Sequence, residues 1–210
     1  ALFGITVIEA MGMTESSSMV FCNPHDERKR YGSPGLPCGV EAKVIDSSGN
    51  EISNQLIGEI CLRGANVMHT YYKNDVETQK AFDADGWLKT GDLGMRDDDG
   101  FYFITGRLKE LIIKGGENIA PREIDEGLLK HPAVLDAAAV GIPDDNYGQE
   151  IMACIILKEG ASCSEDELRG FCHQNLGKFR TPKIMKFVEE LPRGASGKVQ
   201  RLKLLELLTV

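Results

Sequence analysis

The sequence has no long apolar run, and a membrane-spanning helix is therefore not expected. A helix that crosses the hydrocarbon core needs about 20 consecutive apolar residues, and the apolar run at residues 151–157 is far shorter. The chain opens on ALFGITV, without Met or a basic leader. We therefore expect neither membrane insertion nor a signal peptide.

Metal-binding and disulfide patterns are also lacking. No two cysteines are spaced as C-x-x-C and no His pair follows at zinc-ligand spacing, which argues against a structural metal site and a disulfide scaffold. A reduced, cytoplasmic compartment is the simplest interpretation. We assign chemistry to none of the scattered histidines and expect each at a surface or interface. The residues concerned are Cys22, Cys38, Cys61, Cys154, Cys163, Cys172, His25, His69, His131 and His173.

Positive charge is in deficit. The 24 Lys and Arg against 32 Asp and Glu give a formal net charge of -8, which makes nucleic acid or an anionic membrane a poor partner. The basic run at residues 28–30 follows two acids and is typical of a solvated loop. The hydrophobic share of 42% and charged share of 27% indicate an ordinary globular protein.

Short strands and turns dominate the first half of the chain. Residues 5–10 read as a β-branched strand, and we expect its sheet neighbours in an N-terminal part that precedes Ala1. From about residue 31 to 105, strands alternate with turns such as SSGN at 47–50 and DDDG at 97–100, and residues 75–82 read as a short helix. This pattern predicts a small β-rich subdomain, a distorted barrel.

Helices and strands alternate after residue 108. Pro121 opens a helix, residues 134–142 and 151–157 are strand-length apolar runs, and Ser164 begins a capping box before an amphipathic helix. A third strand is expected at 186–188 and a closing helix at 202–208. We therefore predict a mixed α/β chain with a β-rich domain at residues 1–107 and a compact α/β domain at 108–210.

Five segments depart from plain structural patterning. Each alone is a weak signal, because a Gly-Lys in a loop is usually solvated and a Gly-Gly pair is usually a turn. Their order along the whole chain resembles the adenylate-forming enzymes, a superfamily of acyl- and aryl-CoA synthetases, peptide-synthetase adenylation domains and beetle luciferases. The segments are MGMTES at 11–16, WLKTGD at 87–92, GRLKELIIKGGENIAP at 106–121, GIPDDNYGQE at 141–150 and PRGASGKVQR at 192–201.

The resemblance gives the first segment a role at the nucleotide phosphates. It implies that Glu15 holds Mg²⁺ through a hard carboxylate oxygen and that the Thr14 hydroxyl donates to a phosphate oxygen. Met11 and Gly12 would border the adenine. Tyr is common where this chain has Met11, and a thioether can also lie on a flat ring. A helix cap with a first-turn acid is the alternative reading of Thr14 and Glu15.

The resemblance also implies a ribose site. Asp92 would accept both ribose hydroxyls and Arg107 would contact the ribose or a phosphate with its planar donors. Ile104 would pack beneath the nucleotide. A turn-stabilising Asp and ordinary core packing of Ile104 remain alternatives.

Two lysines carry the implied two-step chemistry. Lys198, in a Gly-rich loop that we expect to be flexible, would bridge the carboxylate and the α-phosphate as they react. Lys109 would be the hinge about which the C-terminal domain swings between half-reactions. After rotation, Gly115, Gly116 and Glu117 would line the channel for CoA, where a missing Cβ permits close approach.

The implied function is that of an AMP-forming acid–CoA ligase. A small carboxylic acid and ATP would give an acyl-adenylate and pyrophosphate, and CoA would then give a thioester and AMP. The family's phosphate-binding loop and most of its acyl pocket are expected upstream of Ala1, and we expect little activity from these 210 residues alone. A carrier-protein-loading relative and a non-catalytic fragment with this fold remain open, as do the acid and the oligomeric state.

Overall fold

The chain divides into two compact units at residues 1–108 and 109–210 in a computed structural model. The structure describes residues 4–195 and 197–209. Within that part of the chain, no helix is both long and apolar enough to cross a bilayer.

The first unit is built from two antiparallel sheets. One sheet has three strands and the other has four, each in sequential order. Phe21 and Tyr102 are large, fully buried side chains in the core of this unit. The first sheet contains β1 (Ala10–Gly12), β2 (Met19–Cys22) and β3 (Leu36–Pro37), and the second contains β4 (Glu41–Ile45), β5 (Gly58–Arg63), β6 (Leu88–Arg96) and β7 (Tyr102–Arg107). A 3-10 helix at Thr14–Ser16 and a short helix, α1 (Asp75–Ala81), complete the unit.

Two expectations for this unit are wrong. The strands form open sheets rather than a distorted barrel, because the four-stranded sheet ends at β4 and β7 instead of pairing them. The β-branched run at residues 5–9 is not a strand, and β1 begins only at Ala10. Ile5 and Val7 are exposed, so this run has no packed face of the kind that makes β-branched residues favour strands.

The second unit is a five-stranded sheet with helices. Its strand order is β10-β11-β8-β9, and β12 pairs in parallel with β11. The predicted mixed α/β fold is confirmed. The elements are β8 (Ile112–Lys114), β9 (Glu117–Ile119), α2 (Pro121–Leu129), β10 (Val134–Asp144), β11 (Gly148–Leu157), α3 (Glu165–Leu176), β12 (Ile184–Phe187) and two 3-10 helices at Leu108–Glu110 and Arg201–Thr209.

The sheet of the second unit is buried on both faces. Along β10, Ala137 and Ala139 join a buried cluster with residues of α2 and α3, whereas Ala138 and Val140 join a second cluster that contains Leu204. Successive residues of a strand point to opposite faces, so burial of both faces explains the continuous apolar run. The strand continues through Pro143, which is tolerated because β10 is an edge strand.

The two helices approach each other closely at one glycine. A Cβ atom on Gly127, in the last turn of α2, would lie 2.6 Å from Leu176 Cδ2 at the end of α3. A glycine inside a helix costs about 0.5–1 kcal/mol relative to Ala, and this contact gives the reason for it. The predicted cap is also present, since the Ser164 hydroxyl accepts the Glu167 N–H at 3.2 Å.

Candidate active site

Glu15 lies in the 3-10 helix that follows β1. Its Oε1 atom accepts the Tyr71 hydroxyl at 3.0 Å, and its backbone carbonyl accepts the Met68 N–H at 2.7 Å. Burial, followed by this bond to Glu15, raises the pKa of Tyr71. Tyr71 therefore stays a neutral donor that orients one carboxylate oxygen, and no motif pointed to it.

The segment around Glu15 has a compact backbone. A Cβ on Gly12 would lie 2.7 Å from the Ser18 carbonyl oxygen, so a side chain there would displace the backbone. Thr14 is exposed, whereas Met11 is half-buried and packs against the cluster that contains Phe21 and Tyr102. The thioether of Met11 is thus held by the core of the first unit.

Asp92 and Arg107 pair across two neighbouring strands. The register of β6 and β7 places them opposite each other, and Arg107 Nε lies 2.8 Å from Asp92 Oδ1. The Asp92 side chain is 5% exposed and the Arg107 side chain is 55% exposed. The ion pair thus joins an inner carboxylate to an outer guanidinium. Ile104, also on β7, packs against the same cluster as Met11.

A bulge in the pairing of β5 with β6 precedes Asp92. Gly91 has a φ of +70°, and its N–H donates to Glu59 Oε1 at 2.9 Å. The Thr90 hydroxyl accepts the Asp92 N–H at 3.1 Å and donates to the Ile60 carbonyl at 2.7 Å. These bonds fix the Asp92 backbone, and the contribution of Glu59 was absent from the sequence prediction.

Lys198 lies on a hairpin turn that backbone hydrogen bonds close. Gly194 N–H donates to the Lys198 carbonyl at 2.9 Å, and the Gln200 N–H donates to the Pro192 carbonyl at 2.8 Å. Arg193 holds this turn from one side through Asp136 and the Gly197 carbonyl. The Lys198 side chain is exposed. Ser196, in the same turn, lies outside the described residues.

Arg201 anchors the chain just after Lys198. Its guanidinium contacts the Asp125 and Glu110 carboxylates and donates to the Ala139 carbonyl at 3.0 Å. Glu110 closes the 3-10 helix that also contains Lys109, which is exposed, and the boundary between the two units falls just before Lys109. Arg201 therefore links the predicted hinge segment to the lysine turn.

Gly115 and Gly116 form the turn between β8 and β9. Their φ angles are +55° and +84°, as a two-residue type I′ hairpin requires, so the hairpin alone gives a reason for both glycines. Both are exposed, as is Glu117, which pairs with Arg180. A Cβ on Gly115 would lie 3.2 Å from Tyr147 Cδ1 and 3.5 Å from Phe179 Cζ. Two aromatic rings thus border the turn.

Other features carry no assigned chemistry. A cleft of about 740 Å³ in the first unit is lined by residues that include Arg63, Met68 and Phe82, but by none of the predicted site residues. Burial raises the pKa of Cys61 to about 12 and that of Cys172 to about 11, so neither is a ready nucleophile.

One histidine departs from the expected surface or interface position. His131 is buried. A ring nitrogen of His131, the Cys163 sulfur and a Glu167 carboxylate oxygen all lie within 4.8 Å of one another. Because His131 Nδ1 accepts the Ala133 N–H at 3.3 Å, the neutral ring carries its proton on Nε2. That nitrogen then faces Cys163 and Glu167 as a donor, rather than offering a lone pair to a metal ion.

Comparison with known proteins identifies the class. Residues 1–72 match the AMP-binding enzyme family and residues 123–198 match the AMP-binding enzyme C-terminal domain. The chain belongs to this family of adenylate-forming enzymes, as its motifs predicted, and its homologues are CoA ligases.

Individual relatives sharpen this picture. A sulfoacetate–CoA ligase of Cupriavidus necator is 57% identical over 206 residues, which are 98% of this chain and 40% of that protein. ATP-bound MatB from Rhodopseudomonas palustris has a TM-score of 0.92 at 36% identity, over 97% of this chain and 41% of that one. MenE from Bacillus subtilis with ATP and a magnesium ion has a TM-score of 0.85 at 36% identity, covering 96% and 42%. The chain thus spans about 40% of the length of the relatives it matches.

Proposed function

We propose that the full-length polypeptide is an AMP-forming acid–CoA ligase. In the first half-reaction an acid carboxylate attacks the α-phosphorus of ATP, giving an acyl-adenylate and pyrophosphate. In the second, the CoA thiol attacks the acyl carbon and AMP leaves. Residues 1–107 would be the end of the large AMP-binding domain, and residues 108–210 the mobile C-terminal domain.

The Asp92–Arg107 pair carries this proposal. An inner carboxylate beside an outer guanidinium supplies acceptors for the two ribose hydroxyls and planar donors for the ribose or a phosphate. Met11 and Ile104 pack against the same buried cluster, which supports a shared apolar surface for the nucleotide.

Glu15 fits the requirements of a magnesium ligand. Tyr71 occupies one carboxylate oxygen as a donor, and the other oxygen is the kind of hard ligand that Mg²⁺ prefers. Mg²⁺ usually binds through one or two carboxylates together with substrate phosphates. When bound, the ion would neutralise charge on the phosphates of ATP, and the Thr14 hydroxyl would donate to a phosphate oxygen.

Lys198 would act in the first half-reaction, and Lys109 would be the hinge for the change to the second. The closed turn presents the Lys198 ammonium on a long, exposed stem, which supports a role in bridging the carboxylate and the α-phosphate during adenylation. Rotation about Lys109 would then remove Lys198 and bring the turn at Gly115, Gly116 and Glu117 toward the adenylate, where CoA binds.

An assay of the full-length polypeptide tests the function. Supplied with ATP, Mg²⁺, CoA and a panel of small organic acids that begins with sulfoacetate, it should release AMP and pyrophosphate and form a CoA thioester with at least one acid. Adenylate formation without CoA consumption would favour the carrier-protein alternative, and absence of ATP–pyrophosphate exchange with every acid would leave only a non-catalytic role.

We also propose a cytoplasmic location, which the six free cysteines support.

Replacing Asp92 by Asn tests the ribose contact. A hydrogen bond to a charged group contributes about 1.5–3 kcal/mol, so we expect the KM for ATP to rise about 10- to 100-fold. The exposed Asp85→Asn change is the matched control and should leave KM unaltered. Because Asp92 also pairs with Arg107, the melting temperature is measured in parallel. An unchanged KM in a folded Asp92→Asn variant would contradict the assignment.

A further inference from the structure

Lys114 is a buried cation at the end of β8, immediately before the glycine turn. Its Nζ lies 2.7 Å from Glu150 Oε1 on β11, and both side chains are only 6% exposed. The same ammonium donates to the Phe179 carbonyl at 2.7 Å. One side chain thus joins β8, β11 and the loop that follows α3.

Stability alone does not explain this arrangement. Removing two charges from water costs several kcal/mol per ion, and replacing a buried ion pair by apolar residues of similar volume is often neutral or stabilising. The pair instead fixes geometry, because its charge-assisted hydrogen bonds form in only one arrangement of β8, β11 and the loop that follows α3. The contacts of Lys114 show which residues this geometry positions.

Lys114 contacts two aromatic residues beside the glycine turn. Lys114 Nζ lies 4.8 Å from the ring centroid of Phe179 and 5.5 Å from that of Tyr147, distances at which a cation is attracted to a ring. The two rings meet edge to face with centroids 6.0 Å apart. Gly115 donates its N–H to the Tyr147 carbonyl at 2.9 Å, so the turn is bonded to this aromatic pair.

We propose that Lys114 is a positioning residue for the second half-reaction. It fixes Tyr147 and Phe179 against Gly115, and through them the position of the turn past which the CoA thiol approaches the acyl-adenylate. This role rests on the proposed function. Lys114 does not touch the reacting atoms, and adenylation, which depends on Lys198, does not require it.

The first test separates the two half-reactions in the full-length polypeptide. Lys114→Met keeps the stem and removes the charge. Small misplacements of a reacting group cost up to about 100-fold in rate, so we expect kcat for thioester formation to fall at least about 10-fold. ATP–pyrophosphate exchange should stay within about twofold of wild type. The exposed Lys130→Met change in the same unit is the control and should alter neither rate.

A double variant distinguishes positioning from stability. Lys114→Met combined with Glu150→Met removes both buried charges, so it should recover thermal stability that the single variant loses. If Lys114 positions the turn, thioester formation stays slow in the double variant. Recovery of that rate together with stability, or equal loss of both half-reactions in the folded single variant, would overturn the proposal.

Hydrogen exchange gives a readout that is independent of turnover. In Lys114→Met the amide of Gly115 should exchange faster than in wild type or in Lys130→Met, because its acceptor on Tyr147 is less firmly held. Unchanged exchange would count against the proposal. A wild-type polypeptide that makes no CoA thioester with any acid would instead refute the ligase function, and with it the role that rests on it.

Discussion

Lys198→Ala is expected to reduce adenylation by about 100- to 1,000-fold, the loss that follows removal of one group that stabilises developing charge in a transition state. The ammonium would be needed only where the carboxylate meets the α-phosphorus. Thioester formation from supplied acyl-adenylate should therefore proceed at nearly the wild-type rate. ATP–pyrophosphate exchange and CoA consumption, measured on the full-length polypeptide, report the two steps separately.

Lys203→Ala is the matched control for Lys198. This lysine is exposed and lies only five residues further along the chain, so the change alters net charge equally without touching the closed turn. Both rates should match wild type. Equal loss of adenylation and thioester formation in Lys198→Ala would contradict the role assigned to the ammonium and would point to a general effect on the second unit.

Arg201→Met is expected to cause a large loss of stability in the second unit. The Arg201 and Asp125 side chains are 15% and 11% exposed, and removing one partner of a buried ion pair typically costs about 3 to 5 kcal/mol. Glu110 and the Ala139 carbonyl lose a donor at the same time. Hydrogen exchange of the amides of α2 and β10 measures the effect in this unit.

The loss should depend on pH in a defined direction. Burial raises the pKa of Asp125 above its ordinary value even though Arg201 acts to lower it. A raised folded-state pKa means that stability is greatest below the unfolded pKa and declines as pH rises through the folded one. Without Arg201 the pKa of Asp125 rises further, so the destabilisation should be smaller at acid pH, where Asp125 is protonated, and larger at neutral pH, where the buried carboxylate is ionised and unpaired.

Arg122→Met serves as the control for Arg201. Its ion pair with Glu126 is about half exposed, and exposed pairs contribute about 0–1 kcal/mol. We expect little change in exchange at any pH. A destabilisation by Arg201→Met that is equal at acid and neutral pH would show that Asp125 is not the group left unpaired.

The sequence supports the family and its motifs better than the contacts that hold them. Asp92 and Arg107 each lie in a recognisable motif, and hairpin pairing of neighbouring strands brings them together. The Tyr71 bond to Glu15 and the Lys114 bond to Glu150 join residues 56 and 36 positions apart, with no periodicity to connect them. Such partners depend on tertiary packing and leave no local pattern.

The same reason accounts for the errors. The glycines around Lys198 mark a turn, but its anchors lie on distant segments, at Asp136 and Asp125, and no local pattern predicted them. Turn residues predicted the hairpins of the first unit correctly, whereas closure into a barrel depends on pairing between its first and last strands. Local chemistry decides a turn, and it does not decide which remote edges meet.

The bonds around Ala139 have a consequence for self-association. β10 is the terminal strand of its sheet, and an open edge of this length invites another chain to add a strand. Here the Ala139 N–H donates to Asp125 at 2.7 Å and its carbonyl accepts from Arg201. Pro143 removes a further donor nearby. Side chains thus occupy both backbone groups of Ala139, so the middle of this edge is less open to an added strand.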